Sequence, residues 1–175
     1  MTNSFPLSRI SNASITIQND EEDVVIAPSM NKENKNLRTM IIIEKPITEA
    51  QLKEMAGLIL DEEAKTGLDI HDLECVLRGK EGVLYEGLND EGEANALFMR
   101  RFFDELIHKE EVRKCSFLLV NIGMAAESPL MMDDMNALHE FFESFDNDDM
   151  EMKWGIKTNS EGLGMSMLVI CTHYI

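Results

Sequence analysis

Two carboxylates, an imidazole and a thiol fall within seven residues of this chain: Asp69, His71, Asp72 and Cys75. Asp69 and Asp72 are three apart and precede an apolar stretch. That is the spacing of a helix N-cap and an acidic third residue, where each carboxylate can accept from a backbone N–H and the helix dipole favours negative charge. His71 and Cys75 are four apart and could share a helix face as metal ligands. Two ligands make no site, however, and His108, His139 and His173 show no ligand spacing. The acidic run at 146–149 lacks the alternating ligands and central glycine of a calcium loop, so it reads as a solvated helix end. Ser128 has no glycine elbow, and the only histidine near Cys75 lies on the same helix turn rather than on a facing element. No metal, cofactor or nucleophilic site is expected.

The elements that must hold these residues follow from periodicity. Residues 40–44 are β-branched and apolar and read as a strand, ended by Pro46. Thr48 with Gln51 forms a capping-box pattern ahead of helical spacing over 49–65. Asp69 opens a short helix to about Arg78. Gly79 and Gly82 are expected to bracket a turn into a strand at 83–86, and 87–92 reads as a loop. Residues 93–109 carry the clearest helical stripe, formed by Met99, Phe102, Phe103, Leu106 and Ile107. Residues 116–122 are an uninterrupted apolar run, the pattern of a strand buried on both faces. A second amphipathic helix covers 132–145. Residues 150–157 alternate as a half-exposed strand. The Gly-rich turn at 159–164 is short enough to predict that 165–171 returns as the partner of a hairpin.

Composition narrows the function classes. The chain has 175 residues, 44% of them hydrophobic, enough for one domain with a real core. Its 33 acids against 16 bases give a formal charge of -17. Such a field repels nucleic acid and anionic membrane and favours a basic protein partner. Cys75, Cys115 and Cys171 are too few and too widely spaced for a disulfide framework. Cys115 and Cys171 read as reduced core thiols. No secretory leader or membrane span is visible, and a cytoplasmic protein is expected. Residues 1–38, rich in Asn, Ser, Lys and Glu, are expected to form a weakly ordered arm. Within it, 14–18 and 24–27 are each able to pair as an edge strand.

The ordered series of segments from 67 to 175 resembles the C-terminal domain of the FtsZ/tubulin family. The family's acidic loop and following helix resemble Gly67-Leu68-Asp69-Ile70-His71-Asp72-Leu73 running on to Val76-Leu77-Arg78-Gly79-Lys80. Its next strand and helix start resemble Val83 to Gly87 and Glu91 to Ala96. Its central strand resembles Leu118-Leu119-Val120-Asn121-Ile122-Gly123, and its ending resembles Trp154-Gly155-Ile156, Glu161 to Gly164 and Val169-Ile170-Cys171-Thr172. The resemblance implies an α/β (α+β) two-layer sandwich, a mixed four-stranded sheet with helices packed on it, comparable to chorismate-mutase-like folds.

The departures carry the functional expectation. The family's nucleotide loop is a run of glycines whose free backbone N–H groups cradle phosphate. This chain has no Gly-Gly pair, and its first 66 residues hold a single glycine, Gly57. A domain of 39–175 without a GTP site is expected to act as a protein-interaction module, not an enzyme. In the family the loop aspartates polarise the water that attacks a neighbour's γ-phosphate. The resemblance puts Asp69 and Asp72 in those positions, with His71 between them, and implies a bacterial cell-division partner: an FtsZ-type filament that the chain binds, caps or regulates. Two alternatives stand beside it: a self-oligomerising scaffold pairing through open sheet edges, and a small-molecule-binding domain, which would need convergent basic residues.

Overall fold

The computed structural model describes residues 15–18, 23–29, 38–60, 67–89 and 92–175. Strands β1 (Ile15–Gln18), β2 (Asp23–Ser29) and β3 (Arg38–Thr48) form an antiparallel meander. A 3-10 turn (Glu49–Gln51) leads into α1 (Leu52–Ile59), and α2 spans Ile70–Leu77. Then come β4 (Lys80–Asn89), α3 (Asn95–Leu106), α4 (Glu110–Lys114), β5 (Phe117–Met124), α5 (Asn136–Glu143), β6 (Glu151–Thr158) and β7 (Met165–Tyr174). The strands make one mixed sheet in the order β1-β2-β3-β4-β7-β5-β6. From residue 38 onward it has five strands, not the four expected, because β3 runs antiparallel along β4 from Ile42 to Thr48. The arm adds two more. Its stretches at 15–18 and 23–29 are both strands; the rest of the arm lies outside the described residues.

The final hairpin expected from the sequence is not formed. β6 pairs parallel with β5, while β7 pairs antiparallel with β5 on its other side and with β4. β5 is buried along almost its whole length, so it takes the place between them. A six-residue link at 159–164 is long enough to cross the end of one intervening strand, a span of about 10 Å. The parallel pairing of β5 and β6 needs a long crossover, and the segment carrying α5 supplies it.

Alternation along the strands divides the core in two. Tyr85, Leu118, Val120, Ile122, Met167 and Val169 face α3, α4 and α5. Leu84, Leu119, Ile170 and Ile47 face α1 and α2. The sandwich is therefore two layers over half of the sheet, with a third layer added by α1 and α2 over the other half. The continuous apolar run of β5 carried this information, since a strand buried on both faces needs cover on both.

Two glycine readings are corrected. Gly82 is not in a turn but inside β4, where a Cβ would come 1.8 Å from the carbonyl oxygen of Cys171. The expected loop at 87–92 starts later, because β4 continues to Asn89. Gly87 stays in the strand so that the Phe102 ring can lie against its backbone, 2.8 Å from where a Cβ would be. The helix expected at 93–109 begins only at Asn95 and breaks before α4. The helix expected at 49–65 is the 3-10 turn plus α1, with the Thr48–Gln51 capping box in place; residues 61–66 lie outside the described set. The helix expected at 132–145 shortens to 136–143. Cys115 and Cys171 are free and buried, and burial pushes the Cys171 thiol well up.

Tyr85 is fully buried with its hydroxyl unpartnered. Burial drives its phenol far above the ordinary value of 10. A buried hydroxyl without a partner forfeits its hydration for nothing in return, about 1 kcal/mol or more. Tyr85→Phe is therefore expected to stabilise the protein by about 1 kcal/mol in urea unfolding. A loss of stability would show that the hydroxyl has a partner in solution.

Candidate functional site

The acidic loop is built from the N-terminus of α2. Asp69 has extended backbone (φ -112, ψ 175), and the amide of Asp72 donates to Asp69 Oδ1 at 2.9 Å. The amide of Asp69 donates back to Asp72 Oδ2 at 3.0 Å, completing a reciprocal capping box. Lys153 on β6 brings its Nζ to 3.6 Å from Asp72 Oδ1 and 3.4 Å from Glu151. Both oxygens of Asp72 are thus engaged, while the Asp69 carboxylate is held by the amide of Asp72 and also by that of His71. Leu73, Val76 and Leu77 anchor the helix in the core, and Thr172 Oγ1 donates to the Val76 carbonyl. Leu68 lies flat on Gly155 of β6, where a Cβ would sit 2.8 Å from Leu68 Cγ and 2.9 Å from its backbone nitrogen. The loop is therefore clamped against the outer strand.

The hydrogen bond from the Asp72 amide holds the Asp69 carboxyl below its ordinary 3.8. A depressed carboxyl contributes stability that is present above its unfolded value and lost as pH falls through the folded value. Asp69→Asn keeps a capping side chain but cannot titrate. Wild-type protein is therefore expected to lose stability relative to Asp69→Asn as pH drops below 3.8, as read by thermal melts. Parallel acid limbs would remove the linkage.

His71 is exposed on the first turn of α2, with Nε2 3.8 Å from Cys75 Sγ. The spacing expectation of a shared face is met, and among the described residues no group of three or more His, Cys, Asp or Glu could hold a metal. Ser128 makes a loop contact instead, accepting from Asn95 Nδ2 at 3.4 Å. No described helix is long and apolar enough to cross a membrane.

Beside the loop, the part of that sheet face not covered by α1 and α2 is, among the described residues, a groove of about 590 Å³. Ile41, Ile43, Leu58, Leu88 and Leu163 form its apolar walls. Asn159 fixes one rim, donating from Nδ2 to the carbonyls of Gly123 (3.1 Å) and Gly164 (2.7 Å). Lys157 donates to the Leu58 carbonyl and ties α1 to β6. Asn121 lies in the floor, 4% exposed, and its carboxamide bonds to no described residue. Asn121 pairs in register with Gly155, which Leu68 covers, so groove and acidic loop adjoin. Sequence reasoning did not single out this groove. Its signal was the single amide in the run Leu118-Leu119-Val120-Asn121-Ile122.

The chain matches no protein family model. No curated protein matches it either.

Proposed function

We propose that this chain is a non-catalytic protein-interaction module resembling an FtsZ-type C-terminal domain, which binds FtsZ-type filaments and caps or regulates them. The observation that carries the reading is the clamped acidic loop. Asp69 is held in its ionised form by backbone amides, and the neighbouring Leu68 packs against Gly155 of β6. The mixed sheet and the order of its elements from 67 onward support the resemblance. A rigid carboxylate of this kind can orient water at a neighbouring subunit's nucleotide without moving. Capping accounts for the hydrogen bonds of both aspartates, and the test below separates it from a partner role.

The test is FtsZ polymerisation with GTP hydrolysis and sedimentation followed together. Sub-stoichiometric protein is expected to change both. Asp69→Ala with Asp72→Ala should abolish the effect. Asp69→Asn alone, which preserves the cap, should remove most of the change in hydrolysis while leaving the fold intact. An unchanged effect in Asp69→Asn sinks the loop mechanism.

One observation favours self-assembly as a second reading. β6 is the outermost strand on its side and pairs only with β5 among the described strands, and its Trp154 is 47% exposed. Open edges of this kind recruit further strands. A discrete homo-oligomer in light scattering that dissociates on Trp154→Lys, with no affinity for FtsZ, would favour it.

A further inference from the structure

The open groove has a property that an idle sheet face lacks. Apolar floors carry buried polar side chains only when those groups are hydrogen-bonded, because an unpaired amide in such surroundings costs free energy. Asn121 is more than nine-tenths buried and lines the groove, and no hydrogen bond ties its carboxamide to another described residue; its polar atoms are not sealed in like the Tyr85 hydroxyl but reach the groove surface. Its carboxamide offers two N–H donors and a carbonyl acceptor together, the complement of a peptide group. We propose that the groove is a docking site for an extended peptide segment of a protein partner, with apolar side chains at alternate positions and basic residues between them. This site adjoins the acidic loop but uses other residues, and it does not rest on the filament reading.

The argument for the occupant runs through its backbone. A helix laid on the sheet satisfies its own N–H and C=O groups and has no peptide group left for Asn121. An extended segment keeps them free. The groove crosses from Ile41 and Ile43 on β3 to Asn121 on β5, three strand spacings or about 14 Å. Four or so extended residues cover that distance at about 3.3 Å each. Side chains on one face of such a segment would meet the apolar walls, while the other face stays in water. Charge sets the residues on that outer face. The chain carries -17, and the acid in the groove lining, Glu86, is 3.9 Å from Lys45, so the attraction comes from the overall field. The one lysine in its lining, Lys157, is already bonded to the Leu58 carbonyl. A basic segment is therefore attracted, and an acidic one repelled.

The experiment uses full-length protein and a fluorescein-labelled array of amidated hexapeptides, with Leu, Ile or Val alternating with Arg or Lys, read by anisotropy at physiological salt. Saturable binding of part of the array is expected, with scrambled versions of the same composition at least tenfold weaker. Asn121→Leu keeps the volume of the floor and removes the amide, and should weaken binding about tenfold. Leu88 is exposed on the groove wall, so Leu88→Glu should leave the fold intact, as circular dichroism would check, and also weaken binding at least tenfold. Non-specific attraction of a cationic peptide would instead rise with the added charge, so equal or tighter binding to Leu88→Glu overturns the proposal. So does full binding to a folded Asn121→Leu, which would leave the amide without a role. No saturable binding anywhere in the array overturns it as well. Dimers that Leu88→Glu dissociates in sedimentation would assign the groove to a second copy and also overturn it. None of these results depends on the FtsZ assay.

Discussion

Phe102→Ala is expected to cost about 4 kcal/mol of unfolding free energy, the range for emptying a fully buried aromatic site. Phe102 is wholly buried in the larger core, its ring centroid 6.4 Å from that of Phe98 and 5.9 Å from that of Phe103. Phe103 in turn stacks on Phe141 at 4.3 Å, which joins α3 to α5. The Phe102 ring rests on the backbone of Gly87, so the two positions are coupled. Gly87→Ala puts a Cβ 2.8 Å from ring carbons and should cost about 2 kcal/mol by overpacking. In a Gly87→Ala, Phe102→Leu double mutant the smaller side chain gives the new methyl room. The double mutant should then be more stable than the sum of the two single effects predicts. Urea unfolding of the four proteins measures this directly. Strict additivity would show that ring and strand do not share the contact.

The same pair explains part of what the sequence could and could not convey. The stripe of Met99, Phe102, Phe103 and Leu106 was legible because helical periodicity is local. Gly87 was misread as a loop residue because a glycine in a strand and a glycine in a turn look alike until the facing ring is known. β5 was legible as a central strand from its unbroken apolar run. The pairing of β6 and β7 was not. The length of a link limits how far apart two strands can lie, but it does not say whether a third lies between them, and here β5 does. The fifth strand was visible as 40–44 yet left out of the expected sheet, since nothing local says that β3 pairs with β4.

The candidate site divides in the same way. Asp69 and Asp72 were legible as a capping pair because the box closes within one turn, and both of its hydrogen bonds are present. The ion pair from Lys153 joins residues 81 positions apart and leaves no mark in local sequence. It changes the site, since it adds a cation to Asp72 and leaves Asp69 held by backbone amides. The groove was least legible of all. It is made by where α1 and α2 end, and its walls come from β3, β4, α1 and the 159–164 link, which meet only in the folded sheet.

Glu93→Ala should destabilise the protein by about 3 kcal/mol, at the lower end for stripping one partner from a buried ion pair. Both oxygens of Glu93 accept from Arg101 Nη1, at 2.8 and 2.7 Å, and the two side chains are only 6% and 15% exposed. The backbone of Glu93 is held as well: its amide donates to Asn89 Oδ1 at 3.0 Å, and its carbonyl accepts from Asn89 Nδ2 at 2.7 Å. This network closes the passage from β4 into α3 in place of a side-chain cap, since Ala94 at the N-cap offers none. Truncating Glu93 takes away the carboxylate that both of these hydrogen bonds reach, from a guanidinium largely removed from water, and this is the main source of the loss. Arg101 makes further contacts, and for that reason the estimate stays below the top of the range. Glu93→Gln keeps an acceptor but not the charge, and should lose less. The sharper test replaces the pair: Glu93→Leu together with Arg101→Met removes both charges and should recover most of the stability. If the double variant is as unstable as Glu93→Ala, then it is the Asn89 backbone bonds, disturbed by any change at Glu93, that hold this corner of the fold.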